Sequence, residues 1–240
     1  ANSASQAVNF IKHNLWQSNR LLAVHKDGRS RFPAYLDDYV FLMDGLLELL
    51  QVRWNTEHLH WLKQLADVVL NDFQDQEQGG FFFTANNHEQ LLYRPKTYSD
   101  EALPAGNGVA AKCLARLGFL LGDNAYIRAS EDTLRSAWPA LSKYPHAHGA
   151  LLDALEDQLH QVEIVIIRGQ DPELTKWQQA AGLVYTPNRL VFAIPSDCQD
   201  LEGGLADKVA HENGTVAYRC LGHTCSPPMT SLEAMIKREK

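Results

Sequence analysis

Cysteine is scarce: Cys113, Cys198, Cys220 and Cys225 are the four in 240 residues, too few for a disulfide scaffold. With no secretory leader ahead of them they read as reduced thiols of a cytoplasmic protein. Basic side chains are in deficit, 22 Lys plus Arg against 29 Asp plus Glu. The net charge of −7 has the wrong sign for gripping a phosphate backbone, which excludes nucleic acid as a general partner. Long apolar runs are missing as well. Val40 to Met43 and Ile164 to Ile167 fall far short of the roughly 20 residues that cross a bilayer, so no membrane partner is expected. There is no serine nucleophile elbow, phosphate loop or His-Glu-x-x-His helix, and no glycine fingerprint follows the strand-like run 162–167. No cofactor is therefore implied. What remains is 45% apolar and 21% charged, the proportions of a folded chain with a sizeable core.

Apolar periodicity organises that core. Ala4, Ala7, Val8, Ile11 and Leu15 mark a first amphipathic helix. Asp27-Gly28 between two short strand-like runs predicts a tight hairpin. A second helix, capped by Asp37 or Asp38, carries Val40, Leu46, Leu47 and Leu50, and a third follows the caps Asn55 and Thr56. Phe81-Phe82-Phe83 and Leu91-Leu92-Tyr93 around Asn86-Asn87-His88 predict a second hairpin. Three more helices follow, the fourth ending at Gly122 and the sixth opening with Pro145 in its first turn. After Gln161 the period changes. Val162 to Ile167 reads as a strand, Asp171-Pro172-Glu173 starts a helix, and Leu190 to Ile194 is its parallel partner strand. Another strand spans Thr215 to Arg219, and Thr230 with Glu233 forms a capping box for a last helix. The expected fold is mainly α: in residues 1–161 helix pairs with β-hairpin insertions suggest half of an α/α toroid, a compact bundle of three helical hairpins being the alternative, and residues 162–240 form a small α/β subdomain.

The densest polar stretch is the connection from Arg94 to Gly108. Arg94 and Lys96 there are placed to hold a hydroxyl-rich or anionic ligand, and Asp100 to act as acid, base or hydroxyl acceptor. Asn107 is suited to capping the fourth helix or binding ligand. A solvated connection with the same composition is the plain alternative. Asp37-Asp38-Tyr39 offers a second carboxylate pair beside a ring, one Asp of which N-capping explains. Cys220, His223 and Cys225 have a loose zinc-like spacing, with free thiols the competing reading; no metal is assigned. His146 and His148, two apart, cannot both ligate one metal from a regular helix.

The combination Leu36-Asp37-Asp38-Tyr39, Gly79-Gly80-Phe81-Phe82-Phe83-Thr84, Arg94-Pro95-Lys96 with Asp100, and Pro104-Ala105-Gly106-Asn107 resembles the YyaL-like proteins, which carry an N-terminal thioredoxin-like domain. The tail Ala217-Tyr218-Arg219-Cys220 with Cys225-Ser226-Pro227-Pro228 and Thr230 is similar to that family's C-terminal cysteine pattern. The resemblance implies a toroid akin to those of the N-acylglucosamine 2-epimerases and six-hairpin glycosidases. It also implies that this chain matches only the C-terminal part of a longer polypeptide. Asp37 stands where the family usually has Glu, and Ala105 and Gly108 where it usually has Ser. Two functions follow as expectations. One is a carbohydrate-active or carbohydrate-binding site, epimerase- or isomerase-like, with Asp100 as the base and Asp38, Tyr39, Arg94, Lys96 and Asn107 as ligand contacts. The other is a non-catalytic scaffold that docks a thioredoxin-like redox domain. A small carbohydrate, that domain, the missing half of the toroid and a second copy of the chain in a homodimer are the candidate partners.

Overall fold

A computed structural model describes residues 1–88, 92–183, 186–211 and 214–237. About half the chain is helical, with two small sheets. Helix α1 (Asn2–Leu15) leads into β1 (Trp16–Gln17), β2 (Arg20–Lys26) and β3 (Arg29–Pro33), an antiparallel sheet in the order β1-β2-β3. The Asp27-Gly28 turn forms as expected, with both residues at positive φ, 52° and 70°, as a two-residue hairpin demands. Helices α2 (Leu36–Val52) and α3 (Thr56–Val68) follow, and the Asn55 side chain caps α3 by accepting from the His58 amide. One wider helical turn, Val69–Phe73, continues α3.

The second hairpin does not form among the described residues, and Leu91 lies outside them. The three phenylalanines instead diverge to separate partners. Phe81 bridges Gln74, the Phe82 amide donates to the Phe73 carbonyl, and the Phe83 amide donates to the Pro95 carbonyl. An apolar run resembles a strand by composition, but these backbone bonds go to three different places.

Helix α4 (Gly106–Leu121) is the centre of the helical part and is buried along nearly its whole length. Small residues let its neighbours close in. A methyl on Gly108 would sit 2.6 Å from Ala150 Cβ, so the glycine sets the approach of α6. Helices α5 (Asn124–Lys143) and α6 (Gly149–Leu159) flank α4. Pro145 opens a separate short turn, Pro145–Ala147, ahead of α6 instead of the helix itself, since the chain at His148 is not helical (φ −140°, ψ 42°). The Arg116 guanidinium of α4 donates through Nε to Asp157 Oδ2 of α6 at 2.7 Å, a buried pair that ties the two helices.

Strand β4 (Glu163–Gly169), helix α7 (Glu173–Gly182), strands β5 (Arg189–Pro195), β6 (Val216–Leu221) and β7 (Thr224–Cys225), and helix α8 (Leu232–Ile236) complete the chain. The sheet order is β5-β4-β6-β7, with β4 parallel to β5 as expected and antiparallel to β6. Both faces of β4 are covered, which explains its unbroken apolar run. Ile164 and Ile166 join the main core with α2, α3 and α4, while Val165 and Ile167 pack with Leu174 and Trp177 of α7 and Met235 of α8. The Ser231 hydroxyl, not Thr230, caps α8, accepting from the Ala234 amide.

Cys220 and Cys225 face each other across the β6–β7 pairing and form a disulfide, against the expectation of reduced thiols or zinc ligands. His223 packs edge-on against Phe119 at 5.7 Å. Among the described residues no helix is long and apolar enough to cross a membrane.

Candidate functional site

The 94–108 connection is held by the very residues that composition singled out. Arg94 Nη2 donates to the carbonyls of Thr84 and Asp72 at 2.5 and 3.3 Å, and its guanidinium lies 4.2 Å from the Phe82 ring centroid. Burial lowers its pKa from the usual arginine value. Lys96 Nζ donates to Asp75 Oδ2 at 2.6 Å and to the Gly79 carbonyl at 3.1 Å. That bond, more than any other influence, holds the Asp75 carboxyl below the usual carboxylate range. Both cations thus fasten the connection to residues 72–84.

Asn107 is 1% exposed and clamps three segments. Its Oδ1 accepts from the Phe81 amide at 2.7 Å, and its Nδ2 donates to the carbonyls of Phe81 and Thr97 at 2.9 and 3.0 Å. Asp100 accepts with Oδ1 from the Ala105 amide at 2.8 Å and with Oδ2 from the Ala150 amide at 3.0 Å, joining the connection to the first turn of α6. Asp38 accepts from the Tyr35 amide at 2.8 Å and so caps α2 from its third position. The Tyr39 hydroxyl accepts from the Leu21 amide at 2.8 Å, buried away from the connection, and burial raises its pKa. The residues expected to contact ligand are therefore mostly the frame of the site.

Inside that frame is a cavity of about 320 Å³. Leu36, Phe83, Leu103 and Pro104 form its apolar wall, and Asp37, Thr97, Ser99 and Glu101 supply its polar groups. Phe83 stacks on Tyr35 at 4.7 Å with the rings 9° from parallel, which fixes its orientation. The carboxylate of Asp37 accepts no hydrogen bond from any described residue. Burial first, and the neighbouring Asp38 charge second, raise its pKa above the 3.8 of a free aspartate. It overhangs the start of α4, where a methyl on Gly106 would lie 2.1 Å from Asp37 Oδ1. Gly106 is required there for close approach, since its backbone is in an ordinary conformation.

Asp37 belonged to the expected carboxylate pair, but the roles of the two are exchanged: Asp38 caps and Asp37 faces the cavity. Consecutive helical residues point about 100° apart, so only one of them can turn toward α4. Ser99 and Thr97 sat inside the polar connection without any spacing that set them apart. A second unexpected feature is the contact of Ser99 with buried His148, which joins residues 49 apart in sequence.

The geometry defines a mixed α and β protein with a cavity where a long polar connection meets the start of a buried helix. No family model matches the chain. It is distantly related to spermatogenesis-associated protein 20 over most of its length, 26% identical to the Homo sapiens protein across 95% of this chain and 31% of that one. The Mus musculus protein is 27% identical across 82% of the chain and 26% of its own length. An uncharacterized Caenorhabditis elegans protein is 24% identical across 88% and 29% respectively. The chain spans less than a third of the length of each of these relatives.

Proposed function

We propose that the cavity beneath the 94–108 connection binds a small polyhydroxylated ligand of the carbohydrate class, and that Asp37 is its acid–base group. The observation that carries the reading is the carboxylate of Asp37, half-buried, with a raised pKa and without a hydrogen-bond donor among the described residues, on a wall that also presents the Thr97 and Ser99 hydroxyls and the Phe83 ring. A carboxylate with a raised pKa is suited to moving a proton beside a sugar carbonyl, the step an epimerase or isomerase needs. Hydroxyls and one aromatic face recognise the rest of such a ligand. Asp100, the base expected from composition, has both oxygens engaged with backbone amides, so the role passes to Asp37. Arg94, Lys96, Asn107, Asp38 and Tyr39 act behind the wall as supports. In this reading the helices of residues 1–161 are a segment of an α/α toroid.

Titration calorimetry with a panel of aldoses, ketoses and N-acylated amino sugars tests the reading. Millimolar or tighter binding is expected in the parent, with at least a tenfold loss in Asp37→Asn. Absence of binding across the panel, or unchanged affinity in the variant, overturns it.

A second reading, a non-catalytic module that docks a thioredoxin-like redox domain, draws on the same frame. So many charged side chains committed to internal contacts suit a rigid platform. It predicts no sugar binding and a calorimetric signal with a separately produced thioredoxin-like domain.

A further inference from the structure

The Ser99 hydroxyl lies 3.3 Å from Nε2 of His148, and the other ring nitrogen, Nδ1, lies 2.7 Å from the Tyr144 carbonyl oxygen. A carbonyl oxygen can only accept. The proton of the neutral imidazole therefore sits on Nδ1, and Nε2 presents its lone pair to the hydroxyl. His148 is 2% exposed, while Ser99 is exposed and lines the cavity. The arrangement is a surface hydroxyl backed by a buried, oriented imidazole, with a main-chain carbonyl in the place an acid takes in a Ser-His-Asp triad.

The main chain fixes this pair. The Asp100 amide donates to the Ala147 carbonyl at 2.8 Å, and the Asp100 carboxylate receives the Ala150 amide, so the residues after Ser99 and those around His148 are joined on both sides. The same cavity is lined by Gly106 and Asn107, whose amides open α4 and donate to no described group of the protein. Amides of this kind serve to stabilise negative charge on an oxygen in an acyl-transfer intermediate.

We infer that Ser99 is a nucleophile and His148 its general base, and that the site hydrolyses esters, specifically O-acyl groups carried by a polyhydroxylated ligand. Ser99 Oγ forms a bond to the carbonyl carbon as its proton passes to His148 Nε2. The tetrahedral intermediate collapses, the ester C–O bond breaks, and the leaving alkoxide takes that proton and departs as the free hydroxyl. Water, deprotonated by the same imidazole, then releases the acid and restores Ser99. The nucleophile stands on the Ser99–His148 geometry alone, whereas the polyhydroxylated leaving group rests on the carbohydrate reading above.

The test treats the full chain with a fluorophosphonate ester and locates the adduct by peptide mass mapping. A single adduct on Ser99 is expected, absent in Ser99→Ala and formed on the order of 100-fold more slowly in His148→Gln. His148 is buried, so a second variant, Ser99→Cys, keeps the test independent of that substitution. With the imidazole behind it, the introduced thiol is expected to alkylate readily near pH 6, well below the ordinary thiol pKa of about 8.5. An unmodified Ser99, or alkylation with the pH dependence of a free thiol, overturns the inference. Labelled Ser99 in a protein that binds no sugar supports the nucleophile and overturns the carbohydrate assignment. Sugar binding with Ser99 unlabelled does the reverse.

Discussion

Replacing Asn107 by alanine separates a frame from a ligand contact, because the two roles fail in different assays. The amide satisfies three main-chain groups: the N–H and C=O of Phe81 and the C=O of Thr97. Phe81 is fully buried, so in Asn107→Ala its two groups lose their partner without access to bulk water, whereas Thr97 is exposed and its carbonyl can turn to solvent. A buried group left unpaired costs about 1–3 kcal/mol, and two of them about 2–6 kcal/mol. Some relief comes from water entering the adjoining cavity, which places the expected loss at about 3 kcal/mol. That is a large share of the 5–15 kcal/mol that stabilises a typical domain. For a chain of this size each kcal/mol moves Tm by about 2–4 °C, so a fall of roughly 6–12 °C is expected by calorimetry or far-UV circular dichroism. Asn107→Asp retains the acceptor for Phe81 N–H but turns a second oxygen toward two carbonyls. Its introduced carboxyl should have a raised native pKa, and stability should recover as pH falls and the protonated oxygen becomes a donor. A Tm within about 2 °C of the parent in Asn107→Ala would refute the argument and return Asn107 to the ligand contacts.

Gly106→Ala puts a methyl where Asp37 Oδ1 now lies, 2.1 Å away, so the carboxylate must move. Ligand affinity should fall at least tenfold while stability stays within about 1 kcal/mol, since alanine is the better helix former, as paired titration and melting experiments would show. Asp37 has a native pKa above its unfolded 3.8, so the folded state binds its proton more tightly. Its contribution to stability is thus greatest at low pH and is lost as pH rises from about 3.8 through the native pKa. Asp37→Asn should remove that slope and raise stability at pH 7, read from urea unfolding at pH 4 and pH 7; a steeper slope in the variant would contradict the assignment. Asp157→Ala leaves buried Arg116 with Glu48, at 3.8 Å, as its remaining carboxylate among the described residues and should cost about 3 kcal/mol in urea unfolding, whereas a paired replacement of Arg116 and Asp157 by apolar side chains should recover most of the loss.

Much of the fold follows from local pattern. Helix α1, the Asp27-Gly28 turn, the Asn55 cap and the parallel β4–β5 pair each depend on residues within one or two elements and are legible, although Ala4 and Ala7 of the α1 stripe lie exposed and only Val8 of it is fully buried. The failures share a cause in long-range partners. Phe81 to Phe83 carry strand-like side chains, but their backbone bonds lead to Gln74, Phe73 and Pro95, and no local signal reports that divergence. The cap of α2 is legible as one of two aspartates, and the structure decides between them: Asp38 reaches back from the third position to the Tyr35 amide, while Asp37 faces α4. His148 could not be placed from periodicity, since it precedes α6 in a non-helical conformation and its significance comes from Ser99, reached through the fold. Cys220 and Cys225 pair because the β6–β7 register sets them opposite each other, which spacing alone leaves open.

The same physics separates the residues that hold the 94–108 connection in shape from those that face the cavity beside it. A long polar connection can hold a fixed shape only if its buried charges and amides are satisfied. Arg94, Lys96, Asp100 and Asn107 meet that requirement, each binding main chain or a carboxylate in another segment. Chemistry at a site needs the opposite property, a polar group that the protein leaves unsatisfied or poised. Among the described residues Asp37 has no donor and Ser99 has an imidazole lone pair behind it, and both line the cavity that the satisfied residues frame. Residue type alone does not distinguish the two kinds, since an aspartate serves as clamp at 100 and as open carboxylate at 37. The distinction lies in which oxygen atoms already have donors, so the variants that matter most for function are expected to be those that cost the fold least.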